Sequence, residues 1–503
     1  TVITTSNTVI TTLESDLEGP AAEDSDFGPV VEDNYQPAQP EDAEKPEGAD
    51  QPESAEEPKS ADRQESADQQ AVPAAAPAGA TPVNKKDDGF WGNTITVINN
   101  IADKVLNLTL KDVKIDVSDT GDQYDWDQKG KAALSVQGKG NVEIELDGDN
   151  ELKSGTQSAG LEKTSTGTLT LKDDNNEAGS LTATGGFNSA GIGGGYLGDG
   201  KNITITGGTV TATGGSSGAG IGGGNGGVGK NITITGGTVT AAGGFGNAGI
   251  GGGNGSDGEN ITITGGSVTA TGGEFAAGIG GGREGSGKNI TITGGTVNVT
   301  GGDNGGAGIG GGAEGGGGNN ITIKGGTVTA TGGGYSGTGG AGIGGGSSGS
   351  GENITINGGT VNATGTDGGA GIGGGENGNG EDITINGGKV NASGAYGGAG
   401  IGGGVNGIGS KVTVSGAAQV TATVTGSGPD WSGVGTGATI GNGGSKTPDG
   451  PVDGKEIQAD ISGLTTGYIH HIIYNPDLDL DGKPDGILKE WWEFALPKPI
   501  PDG

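Results

Sequence analysis

Between Leu181 and Val414 apolar and polar residues alternate in short bursts. In "NITIT" and "TVTAT" the period is two, β-branched residues dominate, and Gly207 and Gly208 separate the bursts. Ile203 and Ile205 share one face of the first burst, Val210 and Ala212 one face of the second, and Ala219 and Ile221 one face of a third short segment. The pattern predicts three short strands per unit, divided by glycine corners.

The unit then repeats. The isoleucine of "AGIGGG" falls at Ile192, Ile221, Ile250, Ile279, Ile309, Ile343, Ile372 and Ile401, in steps of 29, 29, 29, 30, 34, 29 and 29. The first residue of "ITI" keeps pace at Ile203, Ile232, Ile261, Ile290, Ile321, Ile354 and Ile383, and Val412 closes the series. Fixed self-similarity at this length means a repeat architecture. The expected fold is all-β, a single-stranded parallel β-helix (a solenoid) of about 11 coils, with ~29 residues per regular coil and coils stacked at ~4.8 Å.

Energetics favour stacking over independent units. Full burial of Ile203, Ile205, Val210 and Ile221 contributes roughly 6 to 12 kcal/mol. The glycines between Ile203 and Asn231 cost a comparable sum at ~0.5 to 1 kcal/mol each relative to alanine. One coil alone should not fold.

Charge and composition divide the chain. Residues 1–84 form an acidic leader rich in Pro and Ala, with 19 acidic and 3 basic residues, too polar for a core and expected to be a disordered spacer. Its first residues, "TVITTSNTVITT", are β-branched and uncharged: either a strand that pairs with something, such as another subunit, or a frayed terminus. Residues 85–181 read as degenerate first coils with Glu143, Glu145, Asp147, Glu151 and Lys153 added, 182–445 as regular coils, and 446–503 as a C-terminal appendage.

With 122 Gly and 18 Pro the chain would suggest disorder, were it not for the period. It has no cysteine, so disulfides and thiolate metal sites are excluded, and no methionine, which reads as an excised or processed product. No apolar run reaches the ~20 residues of a membrane span, and a net charge of -35 argues against nucleic acid as a partner. A soluble, exported protein is expected, extracellular or on a bacterial cell surface.

At "GKNITITGGTVTATGG" and "AGIGGG" the chain resembles the Gly/Thr-rich repeats of bacterial secreted proteins described as carbohydrate-binding domain-containing. The resemblance covers roughly residues 105 to 445 and implies a right-handed parallel β-helix. Members with calcium-dependent acidic-glycan binding use acidic residues on the rod face, where this chain carries mostly Thr and Gly.

Catalytic chemistry is sparse. Polysaccharide lyases and hydrolases need convergent carboxylates or a base beside a metal, but Asp257, Glu284, Glu314 and Glu376 are scattered over loops. The chain is therefore read as no enzyme. The adjacent His470 and His471 point to opposite faces of a strand. "GGNGSD" starts a calcium nonapeptide that Gly258 and Glu259 break, and "GIGGG" lacks the Lys-Ser/Thr of a phosphate loop. Outward Thr209, Thr211 and Thr213, repeated in later coils, resemble an ice-binding lattice. However, exposed strands prefer Thr in any case, and Asn298, Asn362, Lys389 and Asn391 interrupt the lattice.

Two candidate sites remain. Phe187, Phe245, Phe275, Tyr335 and Tyr396 fall in the variable corner before "AGIGGG", where they either stack on sugar faces or fold over glycine corners to shield the thin core. Asp477, Asp479, Asp481 and Asp485 surround Gly482 as in thrombospondin-type and dockerin-like calcium loops, although Leu488 stands where an EF-hand has Glu. The alternative there is an acidic turn between "GYIHHIIY" and the amphipathic "GILKEWWEFAL". The expected function is a non-catalytic, glycan-binding or adhesive rod, with polysaccharide or cell-surface glycan as partner and calcium as the candidate cofactor. The alternative is a structural surface or filament subunit that self-associates through its N-terminal segment. An ice-binding protein or a polysaccharide lyase is less favoured.

Overall fold

The structure is a computed structural model. It describes residues 86, 88–125, 127–175, 177–425, 433–476 and 486–495, together with the backbone of 2–3 and 8–12. About ten turns stack into a solenoid in which each turn adds one strand to each of three sides. Among the described residues all regular structure is β, and no helix is long and apolar enough to cross a membrane.

The register follows the repeat. On one side the two-residue "IG" strands pair in parallel, Ile192 with Ile221, Ile221 with Ile250 and so on to Ile440, in a sheet of thirteen strands. On the second side the "ITI" strands stack Ile203 on Ile232 on Ile261, and on the third "TVT" strands stack Val210 on Val239 on Val268. Ile203, Ile205, Val210, Ala219 and Ile221 are fully buried and Ala212 nearly so, as the alternation predicts. The step of 34 residues is taken up by a small hairpin, Gly334–Tyr335 against Thr338–Gly339.

Two residue types set the corners. Gly193 and Gly222 have φ near +136° and +139°, and a Cβ on either would run into the carbonyl oxygen of the glycine one coil on. That glycine is a stacking requirement as well as a flexible corner. Asn202, Asn231, Asn260 and Asn289 take the left-handed conformation just before "ITI", which Asn tolerates better than other side chains. Their amides form a ladder up the rod, in which Asn231, Asn260 and Asn289 each donate from Nδ2 to the Oδ1 of the asparagine one coil before at 2.9–3.0 Å, and Asn202 donates to the Thr166 carbonyl.

The first coils are built differently. Leu108, Leu110, Leu146 and Leu152 fill them, and buried Asn150 ties three levels together. Its Oδ1 accepts from the Val113 amide at 2.9 Å, and its Nδ2 donates to the carbonyls of Leu110, Asp147 and Ser180.

Both ends of the stack are closed by strands. Val2–Ile3 pairs in parallel with Thr109 and Leu110, and Thr8–Thr12 with Ile95–Asn99, so both of these short strands find partners within the same chain. At the other end Tyr468–Tyr474 adds in parallel to Gln419–Thr425, and Ile487–Phe494 turns back antiparallel to it. Within the amphipathic "GILKEWWEFAL", Ile487–Phe494 is thus the last strand among the described residues, and it carries Lys489, Glu490 and Glu493 along the edge, a composition that discourages further pairing.

Candidate functional site

The two loop columns of the repeat meet along one edge of the rod. Backbone hydrogen bonds join the corner before "AGIGGG" to the loop after it: the Arg283 amide donates to Gly246 at 2.9 Å, Ala313 to Phe275 at 2.6 Å, Glu376 to Gly339 at 2.8 Å and Val405 to Gly368 at 2.7 Å. Side chains at these tips have no strand to join. They are displayed by a backbone held rigidly from below.

Residues with positive φ recur along the corner column. Four residues before the coil's isoleucine these are Asn188 (65°), Gly246 (76°), Phe275 (71°), Gly305 (95°), Gly368 (97°) and Gly397 (94°), and in the last three of these coils the preceding Asn304 (68°), Asp367 (42°) and Tyr396 (49°) are left-handed as well. Gly, Asn and Asp are the residues this conformation favours, whereas a bulky ring costs roughly 1 to 2 kcal/mol there. In the parallel column of the next loop the left-handed position is held by Leu197 (56°), Gly226, Gly255, Glu284 (62°), Glu314 (64°), Ser348 (64°), Asn377 and Asn406, so Leu197 is its one apolar side chain. Leu197 is 64% exposed. Sequence pattern alone passed over it, although the repeat alignment puts Leu where other coils place Gly or polar residues.

The rings face outward. Phe245 is 46%, Tyr335 69% and Tyr396 42% exposed, while Phe187 and Phe275 are half-buried. Phe245 and Phe275 meet edge to face with centroids 5.6 Å apart. The Arg283 guanidinium lies 4.8 Å over the Phe275 ring and grips Glu314 with two hydrogen bonds of 2.8 and 2.6 Å. The structure therefore brings Phe245 and Phe275 together as one aromatic step. Tyr335 stands on the inserted hairpin, and Phe187 and Tyr396 stand in the corners of other coils.

Carboxylates on this edge are few. Asp367 and Glu376 are partly buried, and burial raises both above the usual carboxylate range, with Ser347 donating to Glu376 at 3.4 Å in partial compensation. Among the described residues no group of three His, Asp or Glu could hold a metal ion. Asp477, Asp479, Asp481 and Asp485 lie outside the described residues.

On the side of the "TVT" strands, Thr209, Thr238, Ser267, Thr296, Thr327 and Thr360 form one column that continues through Lys389 to Gln419 and Tyr468. A beta helix repeat family model matches residues 177–196, 203–225, 232–254, 261–283, 290–313, 321–347, 354–376 and 383–405. The repeat region is a parallel β-helix. No curated protein and no solved structure matches the chain.

The end of the β-helix carries a second aromatic group. His470 and His471 do point to opposite faces: the His470 ring stacks on Trp492 at 3.7 Å and lies 3.2 Å from Glu490, while His471 stacks on Trp491 at 4.4 Å. His471 is buried, with Nδ1 2.6 Å from Thr439 Oγ1, which itself donates to Glu456 at 2.8 Å. Nδ1 must then carry a proton to bond that hydroxyl. Burial, followed by the nearby His470 and Lys489 charges, lowers His471 to about 4. Sequence could not foresee these stacks, because they depend on how "YIHHIIY" registers with "EWWEF" across the turn.

Proposed function

We propose that this protein is a non-catalytic rod that binds polysaccharide or cell-surface glycan along its loop edge, with Phe245, Phe275, Tyr335 and Tyr396 as stacking surfaces and Phe187 at the edge's N-terminal end. One observation carries the reading: two rings, Phe275 and Tyr396, stand in left-handed corner positions where other coils place Gly, Asn or Asp, and Phe245, Tyr335 and Tyr396 are turned to solvent. Rings that served only to shield the core would be covered. Backbone conformations held against local preference concentrate where a side chain has a task.

The chemistry follows from the edge. A ring face offers a sugar large apolar contact at low entropic cost, and Asn, Asp and backbone amides beside it can bond the hydroxyls. Successive coils repeat the opportunity at ~5 Å along the axis, which suits an extended polymer more than a small ligand. The reading includes an extracellular or cell-surface location and calcium at Asp477, Asp479, Asp481 and Asp485, a hard-oxygen donor set suited to that cation. Stacking of sugar on the rings does not depend on the ion. Calorimetry with calcium chloride tests it, and no heat at millimolar calcium removes calcium from the reading.

The glycan reading is tested by affinity electrophoresis through gels containing polysaccharides first selected on a glycan array. A Phe245→Ala, Phe275→Ala, Tyr335→Ala variant is expected to keep its melting temperature and lose retention. A variant that melts earlier yet is retained like the parent overturns the proposal.

A further inference from the structure

The edge of the first coil is already occupied, by a segment 82 residues earlier in the chain. Thr8–Thr12 pairs along all five residues of Ile95–Asn99, and Val2–Ile3 pairs with Thr109 and Leu110 on the neighbouring side, a two-point attachment made by backbone on two sheets. The occupant fits its acceptor by composition: "TVITT" is laid on "ITVIN", both uncharged and β-branched. Parallel strand addition of this kind takes affinity from main-chain hydrogen bonds, and these are available to any copy of the segment.

Between Thr12 and Ile95 lie 82 residues. A flexible chain of that length has an end-to-end distance of about 50 Å, and an extended one reaches about 250 Å. The covalent link therefore holds the segment near its acceptor only at a local concentration of millimolar order. Like charges favour the longer of these distances, and residues 1–84 carry sixteen net negative charges, which lowers that figure. Copies held side by side at spacings near 100 Å present their own segments at about the same concentration.

We infer that the first coil is a strand-acceptor site that takes residues 1–12 of a second copy of this chain when copies are crowded, and its own residues 1–12 when they are dilute. Exchange converts capped single rods into rods tethered through their leaders, since each donated strand carries its leader with it. The attachment concerns the rod's end, and the glycan edge stands or falls independently of it.

The absence of cysteine makes a direct test available. Thr11 is the register partner of Ile98, at a position that leaves the inward Ile95 and Val97 untouched. The full chain carrying Thr11→Cys and Ile98→Cys is oxidised at increasing protein concentration and run on non-reducing gels. An intramolecular disulfide is expected at micromolar protein, with interchain dimers and higher species rising to about half of the total near 1 mM, or on beads loaded to that density. Intramolecular disulfide alone at every concentration, or no disulfide at all, overturns the inference. A chain lacking residues 1–12 gives the complementary measurement by fluorescence anisotropy. It should bind a labelled TVITTSNTVITT peptide saturably and not the same peptide with Val9→Pro and Thr11→Pro. The unmodified chain should bind the labelled peptide at least tenfold more weakly than the shortened one. Failure of the shortened chain to bind the peptide up to millimolar concentration contradicts the inference as well.

Discussion

In the first coils Leu108, Leu110, Leu146, Leu152, Leu169 and Leu171 fill the interior, Asn150 and Asn99 are buried with their amides satisfied, and Lys172 sits among Glu143, Glu145 and Asp174. In the regular coils Ile, Val and Ala fill the interior, and most side-chain ties lie outside it, as in the asparagine ladder and the Arg283–Glu314 pair. Both regions use the same three sheets. They differ in neighbours: a regular coil is held above and below by copies of itself, whereas the first coils end the stack and carry larger apolar side chains and hydrogen bonds that lock their loops. In the regular coils stacking dictates nearly every residue. Phe275, Tyr396 and Leu197 there take a backbone conformation that their side chains disfavour, and the proposed glycan edge gives Phe275 and Tyr396 a reason to do so.

The contrast can be broken first in the regular core. Ile263 is fully buried, and Thr262 beside it faces outward. Ile263→Asp is expected to cost about 4 kcal/mol or more through an unpaired buried charge, and Thr262→Asp about 0.5 kcal/mol or less. Equal thermal shifts for the two would show that the faces are misassigned.

Next comes the polar tie of the first coils. Asn150→Ala leaves the Val113 amide without its acceptor and three carbonyls without a donor, an expected loss of about 2 to 3 kcal/mol. Asn289→Ala, in the exposed ladder, should cost about 1 kcal/mol or less by denaturant titration. If the two losses are alike, the terminal coils do not depend on side-chain bonding as argued.

A smaller effect is expected from pH at the C-terminal end. The folded protein holds His471 at about 4, below its ordinary 6.5, because burial disfavours the cation. Between those values the unfolded chain binds more protons, so this group's contribution is complete above pH 6.5 and falls as pH drops toward 4. The melting temperature of the parent should therefore decline more over that range than that of a His471→Gln variant. Parallel declines would separate His471 from the acid response.

Much of this fold was legible in the sequence because period-two alternation and a 29-residue repeat fix both the inward face and the stacking register. Ile203, Ile205, Val210 and Ile221 could be placed on sequence alone. The left-handed Asn202 was not visible as such, since "NITIT" reads as uninterrupted strand until the backbone turns at its first residue. The destination of residues 1–12 was open because a strand's composition says that it can pair and not with which edge. The ring set Phe187, Phe245, Phe275, Tyr335 and Tyr396 was legible as a column, but exposure and backbone strain, which bear on its role, belong to three dimensions.

The account's central claim is that the edge rings are kept for a ligand and not for the fold, and glycine tests it most directly. A Phe275→Gly, Tyr396→Gly variant removes two rings and gives both corners the residue their positive φ prefers. Measured by thermal melting and by affinity electrophoresis on the same preparation, it should melt at the parent's temperature or a few degrees above it and lose polysaccharide retention. A variant that melts several degrees lower while its retention is unchanged would contradict the claim, and would make the rings part of the rod's own packing.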